Sequence, residues 1–169
     1  MNRLISLSLI LAILGSSLSA GIITLDKRAR DQLKKETVFA IDLIQRYHYK
    51  QTNFSDIDSA ELLTAYMENL DGSKMFYLKE DVDFVLERFA GSLKPSYLYV
   101  GDLYPAFETF NIYYTRVSDR LEWVQKRLQK PFDFQGGETY LIDREEAEWA
   151  SSAEEADAIV RAELVEGKP

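Results

Sequence analysis

The stretch LYPAFETFNIYYTRVSDRLEWVQKRL, residues 103–128, decides the fold of this chain. Within it Leu103, Phe107, Phe110, Tyr114, Val117, Leu121, Val124 and Leu128 alternate spacings of four and three. That repeat holds an apolar seam on one side of a helix for about seven turns. Pro105 falls in the first turn, where a missing N–H costs little, and Pro131 ends the run. A helix is therefore expected over about 102–129. A single long helix does not keep such a seam in water, so other helices are expected to cover it. Each buried Leu, Val or Phe would then contribute roughly 1.5–3 kcal/mol. On this reading Phe110→Ala or Leu121→Ala threatens the whole domain.

The flanking sequence supplies the other helices. Residues 28–49 carry Leu33, Thr37, Ala40, Ile41, Ile44 and Tyr47 or His48 on one broad face. Asp58-Ser59-Ala60-Glu61 has the form of a capping box, and Leu62, Leu63, Tyr66, Met67 and Leu70 give the helix after it a buried face. Gly72 is placed to close that helix in the left-handed conformation. Leu78, Val82, Val85 and Phe89 mark a third helix over about 79–89, broken by Gly91-Ser92-Leu93-Lys94-Pro95. Beyond Pro131, Phe132-Asp133-Phe134 and Thr139-Tyr140-Leu141-Ile142 flank Gly136-Gly137 and read as a small β-hairpin over about 132–142. A last helix starts near Ser151 or Ser152 and runs from Ala153 to Val165, with no obvious partner downstream. The expected fold class is mainly α, a helical bundle built on the one long helix.

The N-terminus sets the compartment. Arg3 precedes an apolar run from Leu4 to Leu14, and Gly15-Ser16-Ser17-Leu18-Ser19-Ala20 offers small residues for a signal peptidase. Residues 1–20 are expected to be a signal peptide cleaved near Ala20. Residues 4–25 hold no charge, so an uncleaved membrane anchor is the alternative. The chain has no cysteine, which excludes disulfides, thiolate metal sites and a lipoprotein anchor. Stability must come from an ordinary core, and residues 21–169 have the length of one domain. Net charge is −8, or −9 once Arg3 is removed. Affinity for phosphates needs clustered Lys and Arg, so a nucleic-acid partner is not expected. The modest basic group at Lys27, Arg28, Arg30, Lys34 and Lys35 should coat the first turns of a helix.

Three segments resemble a known family. The first is Arg46, His48-Tyr49-Lys50 and Thr52. The second is Tyr66, Asn69-Leu70-Asp71, Ser73-Lys74, Phe76, Leu78 and Asp81-Val82. The third is Lys130-Pro131-Phe132-Asp133-Phe134, Glu138-Thr139-Tyr140, Asp143-Arg144 and Trp149. In this order and spacing they resemble the N-terminal helical domain of the tail-specific protease, or carboxyl-terminal processing peptidase. The likeness runs over roughly residues 30–165. It implies a periplasmic serine endopeptidase in which this domain precedes a PDZ domain and a protease core with a Ser/Lys dyad. There the helical parts shape access to the active site, and a lipoprotein adaptor can present substrates. This chain is expected to end before the PDZ domain and the dyad begin. Whole-enzyme activity does not carry over. The implied partners are PDZ and protease domains of the same or a companion chain, with an adaptor and protein substrates beyond them.

The residues themselves name no catalytic centre. A Ser/Lys dyad needs a lysine close enough to take the serine proton, yet Ser73-Lys74 are adjacent and sit in a turn. His48 is the only histidine, too few for the usual zinc ligand sets, and is expected to pack between rings or bond at a helix end. Glu80-Asp81, Glu145-Glu146 and Glu154-Glu155 are expected on solvated faces or at helix starts, where the dipole favours negative charge. No catalytic, cofactor or metal residue is assigned, and the chain alone is expected to be inactive. Aromatic side chains are the remaining candidates. Tyr97, Tyr99, Tyr104, Phe107, Phe110, Tyr113 and Tyr114 crowd one short region. Tyr104, Tyr113 and Trp123 lie off the seam, and rings are enriched at interface hot spots. They are the candidate contacts to another domain or a partner. The function expected is that of a non-catalytic domain shaping substrate access, with a free-standing periplasmic protein-binding module as the alternative.

Overall fold

A computed structural model of the protein describes residues 25–48, 53–131, 141, 143–144 and 146–166. The expected signal peptide and the expected hairpin, Leu141 apart, lie outside the described residues.

Helix α1 spans Lys27–Tyr47, its first turn capped by the Asp26 side chain accepting from the Ala29 N–H at 2.8 Å. Ala29, Leu33, Thr37 and Ile41, spaced by four, form its half-buried stripe, and no residue of α1 is fully buried. The helix leans on the chain at Gly101, which has φ +70°. A Cβ placed there would stand 2.1 Å from the Lys34 carbonyl oxygen, so only glycine allows the approach. An ion pair of 3.5 Å between Lys34 and Asp102 accompanies the crossing.

Helix α2 spans Ser59–Leu70. Asp58 caps it as expected, accepting from the Ala60 and Glu61 N–H groups at 2.7 and 3.0 Å. The expected end does not hold. Gly72 is not left-handed; Lys74 takes the positive φ instead, at 51°. The cause is the Asp71 carboxylate, which gathers the N–H groups of Met75, Phe76 and Tyr77 and fixes the reversal itself. A tight turn from the Asp71 carbonyl to the Lys74 N–H leaves the strained position at Lys74.

Helix α3 runs Lys79–Phe89, as its spacing predicts, and buries Val82, Val85 and Phe89. A π-helical turn at Leu93–Tyr97 and a 3-10 turn at Leu98–Val100 reverse the chain. Lys94 ties this reversal to the segment before α2, donating to the carbonyls of Ser55 and Ile57 at 2.7 and 2.6 Å. Helix α4 spans Tyr104–Leu128 and helix α5 spans Ala153–Glu166. Among the described residues there is no β-strand, only one isolated bridge between Leu78 and Ala150. The fold is mainly α.

The main core is Leu63, Met67, Tyr77, Val82, Val85, Phe89 and Leu93, from α2, α3 and their connectors. Helix α4 packs on it, but through an unexpected face. None of the eight seam residues is fully buried, and Leu121 and Leu128 are 49% and 57% exposed. The buried residues of α4 are Pro105, Thr109 and Arg120. At about 100° per residue these lie roughly 120° around the helix from the seam. The expectation that Phe110 and Leu121 form the spine of the core is therefore corrected. Two polar side chains of this face find charged partners, Arg116 on α3 and Arg120 on α5, and the apolar seam is left half open.

Candidate functional site

The polar contacts between helices are concentrated at three anchors along α4. The first is Asp71, 2% exposed, whose carboxylate accepts four hydrogen bonds. The Met75 N–H takes Oδ1 at 2.9 Å. Phe76, Tyr77 and the Trp149 indole take Oδ2 at 3.0, 3.0 and 3.3 Å. This order aims Tyr77 into the core, where its hydroxyl donates to the Thr109 carbonyl of α4 at 2.9 Å. Burial, with Tyr66 and Asp71 beside it, pushes the Tyr77 phenol far above its usual range. Tyr66 makes a parallel bond from α2, at 3.3 Å to the Ala106 carbonyl.

The second anchor is Asp81 at the start of α3. Its Oδ2 accepts from the Leu78 N–H at 2.9 Å and closes the first turn. The same carboxylate holds Arg116 of α4 through two bonds of 2.8 Å, and Glu80 adds a third at 2.8 Å. The bond to Asp81 raises the Arg116 pKa further above its ordinary value. Asp81 does sit at a helix start, as its sequence suggests, but it is 9% exposed and not on a solvated face. The third anchor pairs Arg120 of α4 with Asp157 of α5.

These groups hold helices in place. The Lys74 ammonium is held 3.4 Å from the Glu68 carboxylate and 5.0 Å from the centre of the Trp149 ring. The carbonyls of Ser73 and Lys74 accept from Arg144 at 3.0 and 3.5 Å. The pair thus serves as a knot between a turn and the segment leading to α5. His48 is exposed at the C-cap of α1, its N–H bonded to the Ile44 carbonyl at 3.0 Å. Glu155 caps α5 through the Ser151 side chain and N–H, contacts that hold its carboxyl below the usual range. Among the described residues no three His, Asp or Glu side chains converge as metal ligands.

The three aromatic candidates do not form one patch. Tyr104 is 41% exposed at the start of α4, its ring 5.9 Å from Phe89 and 6.2 Å from Tyr97. Tyr113 is half-buried, with Phe76 and Tyr77 at 5.7 and 5.5 Å. Nine residues separate the two, about half a turn of the helix wheel. Trp123 is half-buried further along α4.

Larger apolar surfaces lie elsewhere. Phe39, Ile44 and Tyr47 are 63%, 49% and 77% exposed on the second half of α1. Between the first half of α1 and α4 runs a cleft of about 690 Å³, lined by Leu33, Leu103 and Phe107 and edged by Lys27, Arg30 and Glu108. Sequence reasoning missed Asp71, Asp81, Arg116 and Arg120 as anchors: the two arginines pair with carboxylates 35 and 37 residues away, and the Asp71 carboxylate acts on backbone N–H groups that spacing does not reveal. The one local signal was an acidic residue at each end of the α2–α3 connector.

Among the described residues the buried charges of this helical domain join its helices and connectors to one another. The chain belongs to the family described as the tail-specific protease N-terminal domain, whose pattern matches residues 40–166. Among curated proteins it is similar to the tail-specific protease of Haemophilus influenzae, 31% identical over 111 residues. That alignment covers 66% of this chain and 16% of the relative. The chain thus spans about one sixth of the length of the relative it matches. Among the described residues no helix is long and apolar enough to cross a membrane.

Proposed function

We propose that this chain is the non-catalytic N-terminal domain of a periplasmic tail-specific serine endopeptidase, where it shapes access to the active site. Residues 1–20 act as its signal peptide and residues 21–169 as one domain. Its partners are the PDZ and protease domains of the same or a companion chain, with an adaptor lipoprotein and protein substrates as further partners. The observation that carries this reading is the seam of α4. Phe107, Phe110, Tyr114, Val117 and Leu121 keep a continuous apolar line that α2, α3 and α5 do not bury. A half-open apolar strip of this length supports the reading of an interaction surface. The family to which the chain belongs supplies the rest of the reading, since it couples such a domain to proteolysis. Tyr104 and Trp123 are secondary contacts beside the seam.

The test mixes the purified chain with the remainder of a tail-specific protease lacking its own N-terminal domain. Calorimetry should detect binding, and Val117→Asp and Leu121→Asp should abolish it while leaving the helical circular dichroism intact. The chain alone should release no product from unstructured peptides with apolar C-termini. Binding that survives both seam variants, or turnover by the chain alone, would refute the assignment. Export is tested separately, by N-terminal sequencing of the protein recovered from a periplasmic extract.

A further inference from the structure

Helix α5 meets the rest of the molecule in a different way from the other helices after the α1 crossing. It contributes nothing to the main core. Its own apolar contact is a separate cluster of Leu78, Ala150 and Ala156, with Ile159 against it, and Val160 is its one other buried apolar residue among those described. Two of the four cluster residues are alanines, which remove little apolar area from water when buried. Ahead of α5, Trp149 packs against the main core, whereas α5 itself is joined to α4 through a polar pair. Trp149 donates to Asp71, the Lys79 N–H donates to the Ala150 carbonyl at 2.9 Å, and Asp157 pairs with Arg120.

Arg120 is the unusual member. It is 9% exposed, and its Nε is buried without a hydrogen-bond partner. A buried guanidinium with one donor unsatisfied is destabilised by lost hydration. While α5 is docked that deficit persists, and when α5 lifts away Arg120 regains water. The side chain that clamps the helix therefore also favours its release. Helices α2 and α3 instead bury large apolar side chains in the main core. Elements with few buried apolar contacts open locally at lower free energy than the core.

We propose that helix α5, Ala153–Glu166, forms a releasable unit, docked on α4 by the Arg120–Asp157 latch and able to detach while α2, α3 and α4 stay folded. The release rests on this geometry alone. Its use rests on the function proposed above: in a protease whose further domains follow this one, α5 is the joint whose docking sets their orientation.

Hydrogen exchange of the full chain, read by mass spectrometry across a urea series, tests the unit directly. Amides of α5 should exchange through an opening that urea barely affects, whereas those of α2 and α3 should follow global unfolding. Asp157→Asn should raise the α5 opening about tenfold and leave α2 and α3 unchanged. The double variant Arg120→Met with Asp157→Leu replaces the latch by an apolar contact and should suppress the opening. Protection of α5 that tracks α2 and α3 through the whole urea series would overturn the proposal. So would an Asp157→Asn variant that loosens every helix alike or fails to fold, since both mean one cooperative unit. Loss of seam binding in the earlier experiment leaves these results untouched, so the two failures are distinguishable.

Discussion

Asp71→Asn separates an organising carboxylate from a merely buried one. Four donors converge on the native group, three from backbone and one from the Trp149 indole. A hydrogen bond to a charged acceptor is worth about 1.5–3 kcal/mol net, and a neutral one about 0.5–1.5 kcal/mol. Asparagine keeps the shape but has one acceptor oxygen. Placed at the Oδ2 position, that oxygen can still receive Phe76, Tyr77 and Trp149, each more weakly than before. The amide NH2 then faces the Met75 N–H, donor against donor, and a buried unsatisfied donor costs about 1–3 kcal/mol. Against these losses stands the lighter desolvation of a neutral amide. The balance is a destabilisation of about 2–4 kcal/mol.

Urea denaturation measures this in two ways at once. Circular dichroism follows the helices, and fluorescence follows Trp149 with Trp123, the two tryptophans of the chain. The variant should unfold at lower urea with an unchanged slope, the Trp149 emission moving with the helices. Asp71→Ala should cost more, since it leaves all four donors unmet. A shift equivalent to less than about 1 kcal/mol in Asp71→Asn would mean the connector is ordered by its apolar residues. The role given to Asp71 would then be wrong.

Three further predictions follow from burial and backbone geometry. Phe89→Ala should cost about 3–5 kcal/mol and Leu121→Ala less than about 1 kcal/mol in urea melts, because only Phe89 lies in the core; the reverse order would return the seam to the interior. Gly101→Ala adds left-handed strain of about 1–2 kcal/mol to a clash with the Lys34 carbonyl. It should free α1, so trypsin cuts faster after Lys34 and Lys35 while the melting of α2–α4 barely changes, and unaltered cleavage would count against the crossing. The Asp58 carboxyl is held below the usual carboxylate range by the N–H groups of Glu61 and Ala60. A depressed folded-state pKa stabilises above the unfolded value and is lost as pH falls through the folded one. The gap between wild type and Asp58→Ala should accordingly be full at neutral pH and vanish in strong acid; a gap that persists at low pH would show the cap acts without its charge.

The helices were legible because each start and stop is written locally. Asp58 and Glu61 mark the start of α2, and the spacing from Leu78 to Phe89 gave α3 its observed bounds. Which face of α4 turns inward was not legible. Periodicity names the most apolar side, and that side is the seam. The buried face instead carries Thr109, Arg116 and Arg120, whose partners include Asp81 and Asp157, 35 and 37 residues away. Pairing at that distance leaves no trace in local spacing, so hydropathy assigned these residues to solvent. The left-handed residue after α2 was misplaced for a related reason: Gly72 is permissive, but the Asp71 side chain, not the glycine, dictates the turn.

The seam that sequence reasoning took for the core has a different meaning once the polar face is known to point inward. Leu121 and Leu128 at 49% and 57% exposed are not needed to hold α4 to the body, because Pro105, Thr109, Arg116 and Arg120 already do so. A helix anchored in this way could carry lysine or glutamate at positions 121 and 128 at little cost in folding free energy. Instead it presents phenylalanine, tyrosine, valine and leucine at every seam position for about seven turns. Folding of this domain does not account for that choice. The docking proposed above, of a second body against α4, would account for it.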